Sequence, residues 1–384
     1  MSSEIKENGN SHKILYTTLD EAKKLGKTSR DIFHDFNSGR LMPQADVIGE
    51  GVYYDMFQHY LMLADSSRML HYKRGIFEKN KIKGKVVLDA GSGFGILALW
   101  CAQAGAKKVY AVEITDNYKH IIEAAKANGL SDIVEVIHDD ALLVDLPEKV
   151  DVIVSEPIGM SIIAEGMFTF LCSVRDKYLK PDGEILPCGG NLYISAISDP
   201  DFAGRIESFF QNFKAMYGVK MNHLIPRARD SLSSRAFQKS IRKHFLRSEP
   251  AMFKTLDFKT MSFEEANCVY GDYDLEIVSD GLVHGFSIFF DILFPNGTLL
   301  DTSPLSQPTH WKSTVCYFKE PKNLQQGQKI TGTVKLRVVE NIEFFIDVTL
   351  EYRIDDEPLE TNEYCLGFDR GQLINLINFD IDPN

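Results

Sequence analysis

The sequence predicts an α/β unit built on a parallel sheet, followed by a unit of antiparallel β structure. Three observations carry this reading. Between residue 85 and about residue 187, short β-branched runs alternate with helical segments that stop at glycines, the pattern of strand–helix–strand units with helices on both faces of a sheet. After about residue 270, long stretches alternate like strands and are joined by turn signals. The chain has 384 residues, 44% of them hydrophobic, which fits two domains better than one.

Taken in order, residues 1–45 carry Ser, Asn, Lys and Glu with little periodicity and read as a mobile arm. The opening MSSEIKENGNSHK has no apolar h-region, so a secretory signal is not expected. Residues 53–77 read as one helix, with Met62, Asp65 and Met69 at three- and four-residue steps. KVVLDA is a buried strand, ILALWCAQAG a helix closed by glycine, KVYAVEI a second strand and NYKHIIEAAKANGL a second helix. IVEVIHDD and VDVIVSEP are two further strands. In DFAGRIESFFQNFKAMYG, residues Phe202, Ile206, Phe209, Phe210, Phe213 and Met216 share one helical stripe, which fits either a core face or an exposed dimerisation arm. LVHGFSIFFDILF runs into Asn296-Gly297, a hairpin signal, and TVKLRVVENIEFFIDVTLEYRI follows as strands.

Composition excludes several function classes. The net charge of −12 disfavours nucleic acid as main partner, since a backbone-binding surface is basic, and it suits attraction of cationic ligands. No apolar run of 18 residues occurs, so no membrane span is expected. Cysteines 101, 172, 188, 268, 316 and 365 form no C-x-x-C pair and read as reduced thiols; no metal site is expected.

The glycines at 91, 93 and 95 follow a strand and open a helix. Such a loop brings backbone N–H groups to the carboxyl edge of the sheet, where a Cβ would block a ligand. Glu113 ends the next strand, where an acid accepts both hydroxyls of a ribose. A dinucleotide fingerprint needs a third glycine where Ile96 stands. The G-x-G-x-G spacing therefore argues against NAD and for S-adenosylmethionine, which carries no pyrophosphate. The remaining alternative is a plain tight turn.

SEPIGMSIIAEGM, residues 155–167, sets Glu156 and Glu165 nine apart across an apolar segment. Two carboxylates facing one cavity grip a guanidinium; the alternative is one helix cap and one solvated acid. This loop resembles the double-glutamate loop of the protein arginine N-methyltransferases. VLDAGSGFGIL is similar to that family's first methyltransferase motif, MLADSSR to its cofactor-covering segment, and Thr309-His310-Trp311 to its Thr-His-Trp loop. LVHGFSIFFDILF is similar to the coactivator-associated members. The resemblance spans residues 53–350.

The resemblance implies a Rossmann-like class I methyltransferase domain over residues 46–187. A β-barrel-like domain over residues 188–384 would follow, with a helical dimerisation arm about 200–255. It implies methyl transfer from S-adenosylmethionine to arginine in proteins, with asymmetric dimethylation as product and histone tails or Gly-Arg-rich segments as substrates. Glu156 and Glu165 would hold the guanidinium, with His310 supporting the pair. His59, Met62, Arg68, Asp89, Gly91, Gly93, Gly95, Glu113 and Asp140 would bind the cofactor, Arg68 through its carboxylate. Met62 and Met167 match methionines that shape the methyl-acceptor cavity, and Trp311 matches a residue lining the substrate entrance. A homodimer or a heteromer with a paralogue, in cytoplasm or nucleus, is expected. The chain departs from the family at Leu142, where an acid usually meets the adenine amine and Asp139 or Asp140 would substitute. It departs again at Met160, where a tyrosine is usual, and in the spacing of Tyr53, Tyr54 and Phe57 before Met62. These departures motivate the alternative of a catalytically weak paralogue that regulates an active partner. An unrelated small-molecule methyltransferase would require the acidic loop to be accidental.

Overall fold

The computed structural model describes residues 56–339 and 342–367. The arm expected over residues 1–45, and Tyr53 and Tyr54, lie outside the described residues. The first elements are helices α1 (Met56–Ala64) and α2 (Ser66–Phe77). The single helix expected over residues 53–77 is therefore corrected. The cause is local: Asp65 takes φ −69° and ψ 91°, and its carboxylate accepts the Arg68 N–H at 2.9 Å. It caps a new helix instead of extending the old one.

Next come β1 (Val86–Ala90), α3 (Ile96–Gln103), β2 (Lys108–Val112), α4 (Tyr118–Ala127) and β3 (Val134–Ile137). After them come β4 (Val150–Val154), α5 (Met167–Tyr178) and β5 (Leu179–Leu186). The strands form one parallel sheet in the order β3-β2-β1-β4-β5. Central β1 is buried at every position, which is why VVLDA runs apolar without alternation. Helix α3 packs on the sheet and against α2 and buries Leu97, Ala98, Leu99, Cys101 and Ala102. The chain winds outward from β1 through β2 to β3, then returns to the other side of β1 with β4 and β5. The carboxyl ends of β1 and β4 thus flank the point where the winding reverses, the place where open α/β sheets bind ligands.

The remaining strands are β6 (Gly189–Ile197), β7 (Ala236–Lys239), β8 (Ala251–Asp257), β9 (Cys268–Glu276), β10 (Gly281–Leu293) and β11 (Leu299–Asp301). They continue with β12 (Ser313–Leu324), β13 (Lys329–Val339), β14 (Ile342–Ile354) and β15 (Glu360–Gly367). One antiparallel sheet runs β7-β12-β10-β6-β8 with β11 on β10; the other runs β15-β14-β13-β9. They face each other through Phe286 of β10, whose ring meets Tyr273 of β9 and Tyr352 of β14 at 5.8 and 5.6 Å. Antiparallel structure thus begins at Gly189, well before residue 270. The buried run GGNLYISAI, covered on both faces, lacks the alternation that marks a half-exposed strand.

Helices α6 (Pro200–Tyr217) and α7 (Ile225–Ser233) separate β6 from β7. The helical segment expected to reach residue 255 ends at Ser233, because β7 and β8 pair into the sheet. The aromatic stripe of α6 is not core. Phe209 and Met216 are exposed, and Phe209 packs edge-on against Phe210 and Phe213 of the same helix.

Candidate active site

The glycine loop leaves β1 in left-handed backbone, with φ of 73°, 56° and 78° at Gly91, Gly93 and Gly95. Gly95 also has no room for a side chain, and Gly93 has little. A Cβ on Gly95 would lie 2.6 Å from Ile121 Cγ2, and one on Gly93 would lie 3.2 Å from His59 Cε1. His59 is buried, stacks on Phe94 at 4.3 Å and bonds Asn117 through Nε2 at 3.1 Å. Helix α1 is thereby seated over the loop. Glu113, at the end of β2, accepts the Gly93 N–H at 2.7 Å and the Thr115 N–H at 2.8 Å. Its carboxylate is fixed at the loop, with acceptor capacity left over for hydroxyls.

Asp89 of β1 is fully buried. Its Oδ2 accepts the Ala98 N–H at 2.9 Å, while the Ser92 hydroxyl donates to the Asp89 main-chain carbonyl, so Oδ1 has no hydrogen-bond donor. Burial pushes the carboxyl up to about 7, against the pull of the Ala98 N–H.

The acidic loop leaves β4 beside this. The Ser155 hydroxyl donates to the Ala90 carbonyl at 2.8 Å, joining the ends of β4 and β1. Gly159 and Ile162 close a small hairpin by backbone bonds. Ser161, Ile162 and Glu165 all have positive φ, of 50°, 68° and 77°. Such backbone is costly for non-glycine residues, most of all β-branched Ile162, and strain of this kind gathers at functional sites. Glu165 stands two residues ahead of α5, whose first residue, Met167, brings its Cε to 3.9 Å from the Cβ position of Gly91. Glu156 forms an ion pair with Arg68 at 3.1 Å, both side chains being largely buried. Burial raises the Glu156 carboxyl above its usual range, and Arg68 and then His310 oppose that rise. Arg68 also donates to the Met62 carbonyl at 3.2 Å, and its Nε is buried without an acceptor.

The antiparallel half closes the site. His310 donates its backbone N–H to Asp65 Oδ2 at 2.9 Å and its Nδ1 meets the same oxygen at 2.8 Å. Its hydrogen-bond partner is Asp65, and its charge acts on Glu156. Asp65 is the residue that sequence reasoning missed, although Asp three positions before Arg68 is a cap signal. Trp311, expected to line the substrate entrance, is buried and donates its indole N–H to the Ile158 carbonyl at 2.8 Å. It braces the acidic loop, as does the Ser161–Thr314 hydroxyl pair at 2.5 Å.

The structure thus brings together His59, Arg68, Asp89, the three glycines, Glu113, Glu156, Met167 and, through Asp65, His310. Met62 joins through its carbonyl. Asp140 Oδ1 accepts the N–H of Leu142 at 2.8 Å within its own loop, and the Leu142 side chain is exposed. The unmatched Asp89 Oδ1 and Arg68 Nε are an acceptor and a donor beside a glycine loop. A ligand ending in an ammonium and a carboxylate, as S-adenosylmethionine does, would satisfy both, so the residues fit that group.

Comparison with known proteins agrees with this geometry. Residues 189–357 match the family model of the arginine methyltransferase oligomerization subdomain, and residues 75–189 match that of ribosomal protein L11 methyltransferase. The chain is 35% identical over 319 residues to protein arginine N-methyltransferase 6 of Danio rerio, covering 82% of this chain and 91% of that protein. It is 34% identical over 332 residues to a probable protein arginine N-methyltransferase 6 of Arabidopsis thaliana, covering 77% of this chain and 76% of that one. Among solved structures, Arabidopsis thaliana protein arginine methyltransferase 10 superposes with a TM-score of 0.71 at 30% identity, covering 82% of this chain and 98% of that one. A Trypanosoma brucei enzyme–prozyme complex with AdoHcy gives 0.75 at 26% identity, covering 82% and 99%. The chain belongs to the protein arginine N-methyltransferase family.

Proposed function

We propose that the chain transfers methyl groups from S-adenosylmethionine to arginine side chains of proteins, with monomethyl and asymmetric dimethyl arginine as products. The observation that carries this reading is the junction of two loops. Glu165 sits in strained backbone two residues before Met167, whose methyl group touches the space over Gly91. A cation held by the acidic loop would therefore lie beside whatever occupies the glycine loop.

S-adenosylmethionine supplies an electrophilic methyl group when bound. Gly91, Gly93 and Gly95 admit it close to the backbone, and Glu113 takes its ribose hydroxyls. Arg68 and Asp89 hold its charged end, while His59 and Met62 cover it from α1. Arginine is a cation with a pKa above ~12 and a poor nucleophile. Glu156 and Glu165 grip the guanidinium and draw positive charge away from the attacking nitrogen, so the gain comes from orientation and electrostatics. That nitrogen would gain the methyl group as the donor's carbon–sulfur bond breaks to leave a neutral thioether, and would give up a proton. Glu156, whose affinity for protons burial has raised, is positioned to accept it. Asp65 orients His310, whose charge acts on Glu156. The exposed aromatic face of α6 is the surface for a second copy of the chain, or for a paralogue.

The test is to supply histone-tail and Gly-Arg-rich peptides with S-adenosylmethionine, hydrolyse them and separate the methylarginines. Monomethyl and asymmetric dimethyl arginine support the proposal, and symmetric dimethyl arginine refutes the assigned product. A second reading, a regulatory partner of an active paralogue, is favoured by Leu142, which is apolar and exposed in the loop after β3. Methylation by the chain alone counts against that reading.

A further inference from the structure

Tyr72 lies one helical turn after Arg68 on α2. It is 1% exposed, and its hydroxyl has no hydrogen-bond partner among the described residues. Its ring is held from two sides. Phe294, at the end of β10, packs edge-on at 5.1 Å, and the Arg68 guanidinium lies 5.6 Å from the ring centroid. Phe294 can approach because residue 75 is glycine; a Cβ there would fall 2.3 Å from Phe294 Cδ1. The hydroxyl is thus fixed by packing from both halves of the molecule, yet it bonds to nothing in either.

Its surroundings are charged. Burial raises the Tyr72 hydroxyl well above its ordinary pKa, and the charges of Glu156, Arg68 and Asp89 also act on it. The hydroxyl therefore stays protonated and is a donor at neutral pH. Buried polar groups are almost always bonded, and each exception calls for a reason. Here three exceptions belong to residues that act on one another: Tyr72 Oη, Arg68 Nε and Asp89 Oδ1, the Arg68 guanidinium lying 5.6 Å from the Tyr72 ring and the Asp89 charge acting on its hydroxyl. Two are donors and one is an acceptor. A ligand that meets all three carries an acceptor of negative charge beside a donor of positive charge, which is the chemistry of an α-amino acid end.

We infer that the Tyr72 hydroxyl is a cofactor-binding donor, bonding the carboxylate of the amino-acid end beside Arg68 while Asp89 takes the ammonium. The inference rests on the proposed reading of this cleft as a S-adenosylmethionine site.

The experiment is calorimetric titration of the full chain and its Tyr72→Phe variant. Two ligands are compared: S-adenosylhomocysteine, which has the amino-acid end, and 5′-methylthioadenosine, which lacks it. Tyr72→Phe is expected to weaken S-adenosylhomocysteine by about 10- to 100-fold, the loss of one hydrogen bond to a charged group, and to leave 5′-methylthioadenosine unchanged. Without ligand the variant is expected to melt at or above the wild-type temperature, because the hydroxyl it removes has no partner. Equal weakening of both ligands, unchanged binding of S-adenosylhomocysteine, or a lower melting temperature without ligand each overturns the inference while leaving the site intact. A wild-type chain that binds neither ligand overturns the cofactor reading and the inference together.

Discussion

Asp65→Asn separates two tasks that one carboxylate performs. Oδ1 caps α2 by accepting the Arg68 N–H, and Oδ2 accepts both the backbone N–H and the Nδ1 of His310. Asparagine caps a helix as well as aspartate does, so if Asp65 were only a cap the substitution would be silent. Asparagine has a single acceptor oxygen, however. With that oxygen on the cap, its amide NH₂ faces the His310 backbone N–H, and two donors meet. The backbone N–H can only donate, so it is left without an acceptor. A buried donor without a partner costs about 1–3 kcal/mol, so the variant is expected to lose about 2 kcal/mol in urea unfolding at pH 7. The pH dependence gives a second check. Burial pushes the Asp65 carboxyl up, but the hydrogen bonds from His310 and Arg68 and the His310 charge bring it below its ordinary value. A carboxyl whose folded pKa is depressed stabilises fully above its unfolded value and loses that stability as pH falls through its folded value. The gap between wild type and variant should therefore be full at pH 7 and narrow below about pH 4. A variant that unfolds at the wild-type urea concentration at pH 7 would refute the clasp between the two halves.

Three further predictions follow from the same geometry. Asp89 has the opposite sign: its carboxyl is raised to about 7, so the folded state loses stability as pH rises from about 4 to 7. Asp89→Asn should match the wild type near pH 4 and exceed it at pH 8 by up to about 4 kcal/mol without ligand, read by urea unfolding; parallel pH curves would count against this. Gly95→Ala combines left-handed backbone with a contact 2.6 Å from Ile121 Cγ2 and should cost about 2–4 kcal/mol. Gly129→Ala, with φ of 68° but open space around it, should cost only about 1 kcal/mol in the same unfolding assay. Trp311→Phe leaves the Ile158 carbonyl without its donor and should cost about 1–3 kcal/mol, with a fall in methyl transfer as the acidic loop loosens.

What could be read in the sequence was what is local. The glycine loop and Glu113 are linked by a strand and a helix of regular spacing, and the structure closes that link with the Gly93–Glu113 hydrogen bond. The acidic loop could be read because two carboxylates in an apolar run demand an explanation. The seam between the halves could not be read this way. Asp65 and His310 stand 245 residues apart, and no periodicity records such a pair. The break between α1 and α2 is local, yet Asp65 falls in step with Met62 and Met69 and so reads as part of one helix. For Trp311 the sequence leaves the local role open, because an indole reads equally well as a lining or as a strut until its N–H finds a partner, here the Ile158 carbonyl. Strand β6 was invisible because burial on both faces erases the alternation that betrays a strand.

The central claim is that the acidic loop activates arginine beside a bound methyl donor. Its most direct test is the purified chain alone with methyl-labelled S-adenosylmethionine and arginine peptides, against Glu165→Gln as control. Label on arginine is expected with the wild type and loss of that label in the variant, with cofactor binding unchanged by calorimetry. Equal labelling by both proteins, or no labelling by a wild type that binds the cofactor, would contradict it.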